Sequence, residues 1–232
     1  MLLSVVIPLY NEAENIAPLC AEIADALRGR AYEIVLVDDK STDDTLAAIP
    51  KLPEIRVLEL AHNTGQSGAM YAGIQAARGD ILVLLDGDRQ NDPADIPRML
   101  EALEEGSGVD LVCGYRASRK DTFSKRLTSR IANAVRSRFT HDGVRDTGCT
   151  LKVLRKECRE ALLPFNGMHR FIPALIKGMG YRITEVAVNH RPRVAGVSKY
   201  GFGNRALRAT LDMFAVRWLL QRQIRLRIAR EH

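Results

Sequence analysis

The stretch Ile81-Leu82-Val83-Leu84-Leu85-Asp86-Gly87-Asp88 decides how the rest of the chain is read. Five consecutive apolar residues closed by Asp-Gly fit a strand buried on both faces and are too few for a helix. Such a strand belongs in a parallel α/β sheet, and the acidic turn after it sits where those sheets bind ligands. Toward the N-terminus, Gln66–Ala77, Asp43–Ile49 and Glu14–Leu27 read as helices. Between them Ile55–Leu60, Glu33–Val37 and Leu3–Ile7 read as strands. On the other side, Ala94–Glu104 has helical periodicity and Val109–Cys113 reads as a strand. This alternation predicts the α/β class: a Rossmann-like, mainly parallel sheet flanked by helices, with a nucleotide layer in residues 1–115.

The second half is less regular. Phe123–Phe139 is amphipathic and basic, Thr150–Leu154 returns as a strand, Phe171–Lys177 is helical, and Ile183–Val188 is a strand. A basic loop, His190–Tyr200, precedes a long amphipathic C-terminal helix from Gly203 or Asn204 to about Ile228. No repeat or linker interrupts the sequence. We therefore expect one domain over residues 1–203 and a basic helical tail over 204–232.

Composition narrows the function classes. The chain has 232 residues, 46% of them apolar, enough for a sizeable core. Its four cysteines show neither CxxC spacing nor histidine clustering, which disfavours a disulfide framework or zinc site. No apolar run reaches the length of a membrane span, so a soluble or peripheral, cytoplasmic protein is expected. The net charge of +6 is uneven: after Asn204, seven arginines face only Asp212 and Glu231. That tail calls for an anionic partner.

The chemistry gathers where strands end. Strand one leads into Pro8-Leu9-Tyr10-Asn11-Glu12, strand two into Asp38-Asp39-Lys40-Ser41, and the apolar strand into Asp86-Gly87-Asp88-Arg89-Gln90. Alternate residues of an extended segment face the same way, so Asp86 and Asp88 can share one hard divalent cation, Mg²⁺ or Mn²⁺. Gln90 adds a carbonyl oxygen. Such an ion neutralises a diphosphate leaving group. Read alone, Asp-Gly-Asp also fits a turn capped by its own side chains; two further acidic clusters favour the cation. Asp38 and Asp39 suit a base or ribose, while Ser41 or Asp43 caps the helix expected next. In the basic loop, Arg193 and Lys199 flank Gly196 and suit a diphosphate; the alternative is a solvated loop.

These segments resemble glycosyltransferase family 2, and within it the dolichyl-phosphate mannosyltransferase-like branch. VVIPLYNEAENI, LVDDKSTDDT, NTGQSGAMYAGIQAARGDILVLLDGDRQNDP and RPRVAGVSKYG carry the resemblance in order and spacing over residues 3–203. It implies a GT-A fold, with Asp86, Asp88 and Gln90 at the metal and diphosphate, and Pro8, Tyr10, Glu12, Asp38 and Asp39 lining the nucleotide pocket. It also implies that Arg193 and Lys199 hold the donor diphosphate. The acceptor phosphate would be held by Arg116, in Gly114-Tyr115-Arg116, and by Arg130, fourteen residues on. Two positions depart from the pattern: Ala134 replaces a frequent Ser, and Lys40 replaces the usual Gly of the VDDGS motif.

The acceptor class that the resemblance implies explains a gap in the chemistry. A hydroxyl acceptor needs a carboxylate base. Asp142 and Asp146 are available, but the ED motif of hydroxyl-directed relatives is not present. A phosphate monoester is already anionic at neutral pH and needs only positioning and electrostatic stabilisation. The expected reaction is an inverting, metal-dependent transfer from a UDP- or GDP-linked sugar to polyprenyl phosphate. Asp146 is then expected to shape the floor of the site or bind sugar hydroxyls, and His169 and Arg170 to support it.

Two stripes suit a membrane surface. Phe123, Leu127, Ile131, Val135 and Phe139 recur every four residues beside arginines, and Leu207, Leu211, Phe214, Trp218 and Leu219 repeat the style against Arg205, Arg208, Arg217 and Arg222. Alternatively they pack on the core, a membrane partner protein or a homo-oligomer. An anionic membrane surface is the expected contact, on its cytoplasmic inner face. A nucleotidyltransferase would carry a Gly-rich phosphate loop where Pro8–Glu12 stands. A nucleic-acid binder would interleave more aromatics than the 6% here. A family 2 enzyme acting on a saccharide hydroxyl is the nearest alternative.

Overall fold

The computed structural model describes residues 1–106, 108–117, 136–192 and 203–224. Its elements are β1 (Leu3–Leu9), α1 (Ala13–Ala26), β2 (Tyr32–Asp38), β3 (Ile55–Glu59), α2 (Gly65–Ala76) and β4 (Ile81–Leu84). These are followed by α3 (Ile96–Glu105), β5 (Leu111–Arg116), β6 (Lys152–Arg155), α4 (Ile172–Gly178), β7 (Ile183–Val188) and α5 (Gly203–Arg222).

Seven strands form one sheet in the order β3-β2-β1-β4-β6-β5-β7. β1 pairs in parallel with β2 and β4, β2 with β3, and β5 with β7. The alternation of the first half thus yields the parallel layer expected, with buried aliphatics on both faces. Val5, Ile7, Leu36 and Val83 pack toward α1 and α3, and Val6, Val35, Leu82 and Leu84 toward α2 and α4. α2 lies close on the sheet at Gly73, where a Cβ would come 2.4 Å from Val6 and 2.9 Å from Val37.

β6 inserts antiparallel between β4 and β5. Two expectations need correction. Residues 43–49 form turns instead of a helix: Thr45 gives both its amide and its hydroxyl to Asp43, a local bonding pattern that competes with helix formation. α5 stops at Arg222, with residues 223–224 non-helical, instead of reaching Ile228. No helix among the described residues is long and apolar enough to cross a membrane.

Candidate active site

β1, β2 and β4 run the same way, so the turns after them share one edge of the sheet. Each turn holds a non-glycine residue in the left-handed region: Asn11 (φ 54°), Lys40 (φ 65°) and Arg89 (φ 59°). This conformation costs an L-residue about 1–2 kcal/mol, and such strain concentrates at functional sites. Lys40 stands in the left-handed region that glycine adopts without strain.

The turn after β4 carries the metal candidates. Asp86 accepts hydrogen bonds from Gln66 Nε2 (2.7 Å) and Thr150 Oγ1 (2.6 Å). Burial, and then the neighbouring Asp88 carboxylate, push its pKa up to about 6, against the opposing pull of Thr150, Lys152 and Gln66. Asp88 is buried and accepts the Gln90 amide at 3.2 Å. Gly87 is squeezed: a Cβ would lie 2.8 Å from Leu9 and 3.4 Å from Glu12. A buried carboxylate raised by its carboxylate neighbour, with hard oxygen donors around it, fits a divalent cation. Among the described residues no group of three or more His, Cys, Asp or Glu is placed to hold a metal. A cation held there would complete its shell with amide oxygen, water or substrate phosphate.

The nucleotide candidates occupy the two neighbouring turns. Asp38 is buried; Oδ2 accepts the Ser41 amide at 3.1 Å, and Oδ1 is buried without a hydrogen-bond partner among the described residues. An orphaned buried carboxylate oxygen suits a donor on a base or ribose. Asp39, also buried, accepts from the Thr64 amide (2.6 Å) and hydroxyl (2.9 Å) and so pins the start of α2. Glu12 gives its amide to Thr45 and accepts from Asn15. Pro8 is half-buried at the end of β1, and Tyr10 is exposed beside it.

The candidates for the acceptor side lie at β5 and in the segment leading to β6. Arg116, the last residue of β5, meets Asp146 in two hydrogen bonds, Nε to Oδ2 at 2.7 Å and NH2 to Oδ1 at 2.8 Å. Asp142 is buried and accepts from Arg136, from Thr140 (2.8 Å) and from the Val144 amide (3.0 Å). The basic loop is tethered at its stem: the Arg191 amide donates to the Gln90 carbonyl (2.9 Å), and its guanidinium bridges Glu22 and Asp92. Arg130, Arg193 and Lys199 lie outside the described residues, as does most of Phe123–Phe139. Within that stripe Arg136 faces inward, to Asp142 and the Val144 carbonyl.

The sequence reading missed Gln66, Thr150 and Lys152. Lys152 is fully buried in β6, paired with Leu84 on one side and Cys113 on the other, and its ammonium donates to the Cys149 carbonyl at 2.5 Å. A lysine inside an apolar strand was the available signal, since buried ammonium groups persist only where charge or dipoles compensate them. Asp86 supplies part of that compensation. The four cysteines are free and buried. Burial pushes the thiols of Cys113 and Cys158 up to about 12, which leaves them unreactive at neutral pH.

The sequence profile of glycosyl transferase family 2 matches residues 4–163. The chain belongs to glycosyl transferase family 2. A relative of this family 2 chain, dodecaprenyl-phosphate galacturonate synthase of Rhizobium johnstonii, is 40% identical over 233 residues, covering 96% of this chain and 68% of that protein. Undecaprenyl-phosphate 4-deoxy-4-formamido-L-arabinose transferase of Yersinia pestis is 38% identical over 204 residues, 85% of this chain and 62% of that one. The chain thus spans roughly two thirds of the length of these relatives. Glucosyl-3-phosphoglycerate synthase of Mycobacterium tuberculosis, solved with Mn²⁺, UDP and phosphoglyceric acid, superposes with a TM-score of 0.69. It is 21% identical, over 93% of this chain and 78% of that one. The same enzyme with Mg²⁺ and UDP also superposes at 0.69. That likeness is one of fold, and the fold is GT-A.

Proposed function

We propose that this family 2 chain transfers a sugar, with inversion, from a UDP- or GDP-linked donor to polyprenyl phosphate at an anionic membrane surface on its cytoplasmic face. The names of both curated relatives, which denote transfer to dodecaprenyl and undecaprenyl phosphate, support the acceptor class. The observation that carries it is the state of the two acceptor-side carboxylates. Asp142 and Asp146 are each committed as acceptors to an arginine, which suits an acceptor that needs no base. A phosphate oxygen forms the new bond to the anomeric carbon as the bond to the donor diphosphate breaks, and the nucleoside diphosphate leaves.

In this reading Asp86, Asp88 and Gln90 hold Mg²⁺ or Mn²⁺, which supplies charge neutralisation at the diphosphate. Pro8, Tyr10, Glu12, Asp38 and Asp39 line the nucleoside. Arg193 and Lys199 hold the diphosphate, on a loop whose stem is fixed to Gln90. Arg116, oriented by Asp146, and Arg130 bind the acceptor phosphate; a bidentate guanidinium suits that group. Residues 1–203 act as the transfer domain. The 204–232 tail turns Leu211, Phe214 and Trp218, each more than half exposed, toward lipid, while Val216 is buried against the core. Seven arginines along that tail suit anionic headgroups. We assign no nucleic-acid partner; a membrane partner protein or a second copy are the other occupants this face would accept.

The test is turnover. The purified protein is incubated with Mn²⁺, a short polyprenyl phosphate and a panel of UDP- and GDP-sugars, and released nucleoside diphosphate and glycolipid are measured. Lipid-dependent release with one donor, lost in Asp88→Ala, is expected. Release that depends on a saccharide and ignores the lipid would overturn the acceptor assignment.

A further inference from the structure

The first turn of α2 touches three separate parts of the site. Thr64, at its cap, gives its amide and hydroxyl to Asp39. Gln66 donates to Asp86 at 2.7 Å. Ser67, buried, accepts the Gly167 amide at 2.9 Å, and its hydroxyl lies 2.8 Å from His169 Nδ1. The last contact joins segments about a hundred residues apart, across the sheet face that α2 covers.

The turn that brings His169 there is itself fixed. Met168–Arg170 is a single 3-10 turn entered through Gly167, whose φ of 99° favours glycine. A Cβ at Gly167 would come 2.7 Å from the Arg170 guanidinium and 2.8 Å from the Asp212 carboxylate. Arg170 reaches Asp212, on α5, at 3.2 Å. Three polar contacts, Asp212–Arg170, His169–Ser67 and Gln66–Asp86, are thus joined through the chain-adjacent pairs 169–170 and 66–67.

We infer that His169 and Ser67 are positioning residues for the transfer reaction: their contact holds the first turn of α2 so that Gln66 presents Asp86 to the cation and diphosphate. Neither residue touches the reacting atoms. The body of α2 is pressed on the sheet at Gly73, and its cap is tied to Asp39 through Thr64. The contact at Ser67 adds the hold on the side of the first turn that faces the Gly167–Arg170 segment. Partners one layer removed from a metal ligand commonly set 10–100-fold in metal affinity when removed. The inference rests on the proposed role of Asp86 and Asp88.

The experiment measures binding without turnover. The half-saturating Mn²⁺ concentration for UDP and GDP binding is determined calorimetrically for the full chain and for Ser67→Ala, His169→Ala, His169→Asn, Gln66→Ala and the Gln66→Ala/His169→Ala double variant, alongside each melting temperature. We expect Ser67→Ala and His169→Ala to raise the half-saturating Mn²⁺ about tenfold. Asn at 169, which retains a hydrogen-bonding group near Nδ1, should recover most of the loss. The double variant should be no worse than Gln66→Ala alone, since both act through one contact. Should His169→Ala fail to fold, Ser67→Ala and His169→Asn carry the comparison. A lower melting temperature with unchanged Mn²⁺ requirement, or additive losses in the double variant, would overturn the inference. If the unsubstituted chain binds neither nucleotide in a metal-dependent way, the proposed metal site falls first and this inference with it.

Discussion

Arg116 and Asp146 are paired through two hydrogen bonds, with both side chains only about a tenth exposed. Asp146 also accepts the Arg116 backbone amide at 3.3 Å, so the carboxylate grips the residue at both ends. An arginine held this way has a fixed guanidinium plane. Asp146→Asn keeps the shape and removes the charge. It should lower kcat/KM for the lipid acceptor by at least about tenfold while leaving the affinity for nucleoside diphosphate unchanged. Steady-state kinetics with each substrate varied in turn checks this. A loss confined to the donor side would move Asp146 to the sugar pocket.

Asp86 sets a pH dependence whose sign can be worked out. Burial and Asp88 raise its folded pKa from 3.8 to about 6. The folded protein therefore binds this proton more tightly than the unfolded chain does. The stabilisation is fully present below pH 3.8 and is lost as pH rises through about 6. The difference is at most on the order of 3 kcal/mol, less any solvent screening. Without metal, Asp86→Asn should gain on the wild-type chain as pH rises from 4 to 7 in paired denaturant titrations. Protons also compete with the cation, so Mn²⁺-dependent nucleotide binding should weaken below about pH 6.

Gly87→Ala tests how tightly the acidic turn is packed. The new methyl would meet Leu9, which is fully buried and has no room to withdraw. A cost of about 1–3 kcal/mol is expected, together with weaker metal binding, because the turn must shift along with Asp86 and Asp88. Thermal melting with and without Mn²⁺ separates the two effects.

Lys40 tests the strained loop. Glycine there should leave stability unchanged or raise it by up to about 1 kcal/mol, whereas valine should cost at least about 1 kcal/mol. Denaturant midpoints of the two variants provide the comparison.

The outer face of α5 tests the membrane assignment. Phe214→Ser/Trp218→Ser should reduce co-sedimentation with vesicles of phosphatidylglycerol and phosphatidylcholine severalfold. Stability should change little: Trp218 is 59% exposed, and Phe214, 55% exposed, gives up one edge contact with Phe139. Unaltered sedimentation would reassign this face to a protein partner.

Much of this organisation was legible in the sequence for a physical reason. Strand-length apolar runs followed by acidic turns repeat three times, and parallel pairing then obliges the turns to converge. The position of β6 was not legible, because a four-residue strand carries no mark of which neighbours it will pair with or in which direction. For the same reason Thr150 and Lys152 could not be assigned to Asp86 before the pairing was known. Asp43–Ile49 misled because its helix-compatible residues include Asp43 and Thr45, whose side chains bond to each other and to the β1 turn. Asp142 and Asp146 looked interchangeable as bases; which arginine each faces depends on contacts that spacing does not encode.

The antiparallel insertion of β6 has one more consequence. β5 ends at the same edge of the sheet as β4, and β6 starts from that edge, so everything between Arg116 and Thr150 departs from and returns to the active-site rim. The Arg116–Asp146 pair closes the foot of this excursion. A segment rooted this way can be lengthened, shortened or exchanged between relatives without altering the register of any strand. On the proposed assignment of Arg116 and Arg130 to the acceptor phosphate, acceptor preference can therefore diversify within a lineage while the donor-binding half stays as it is.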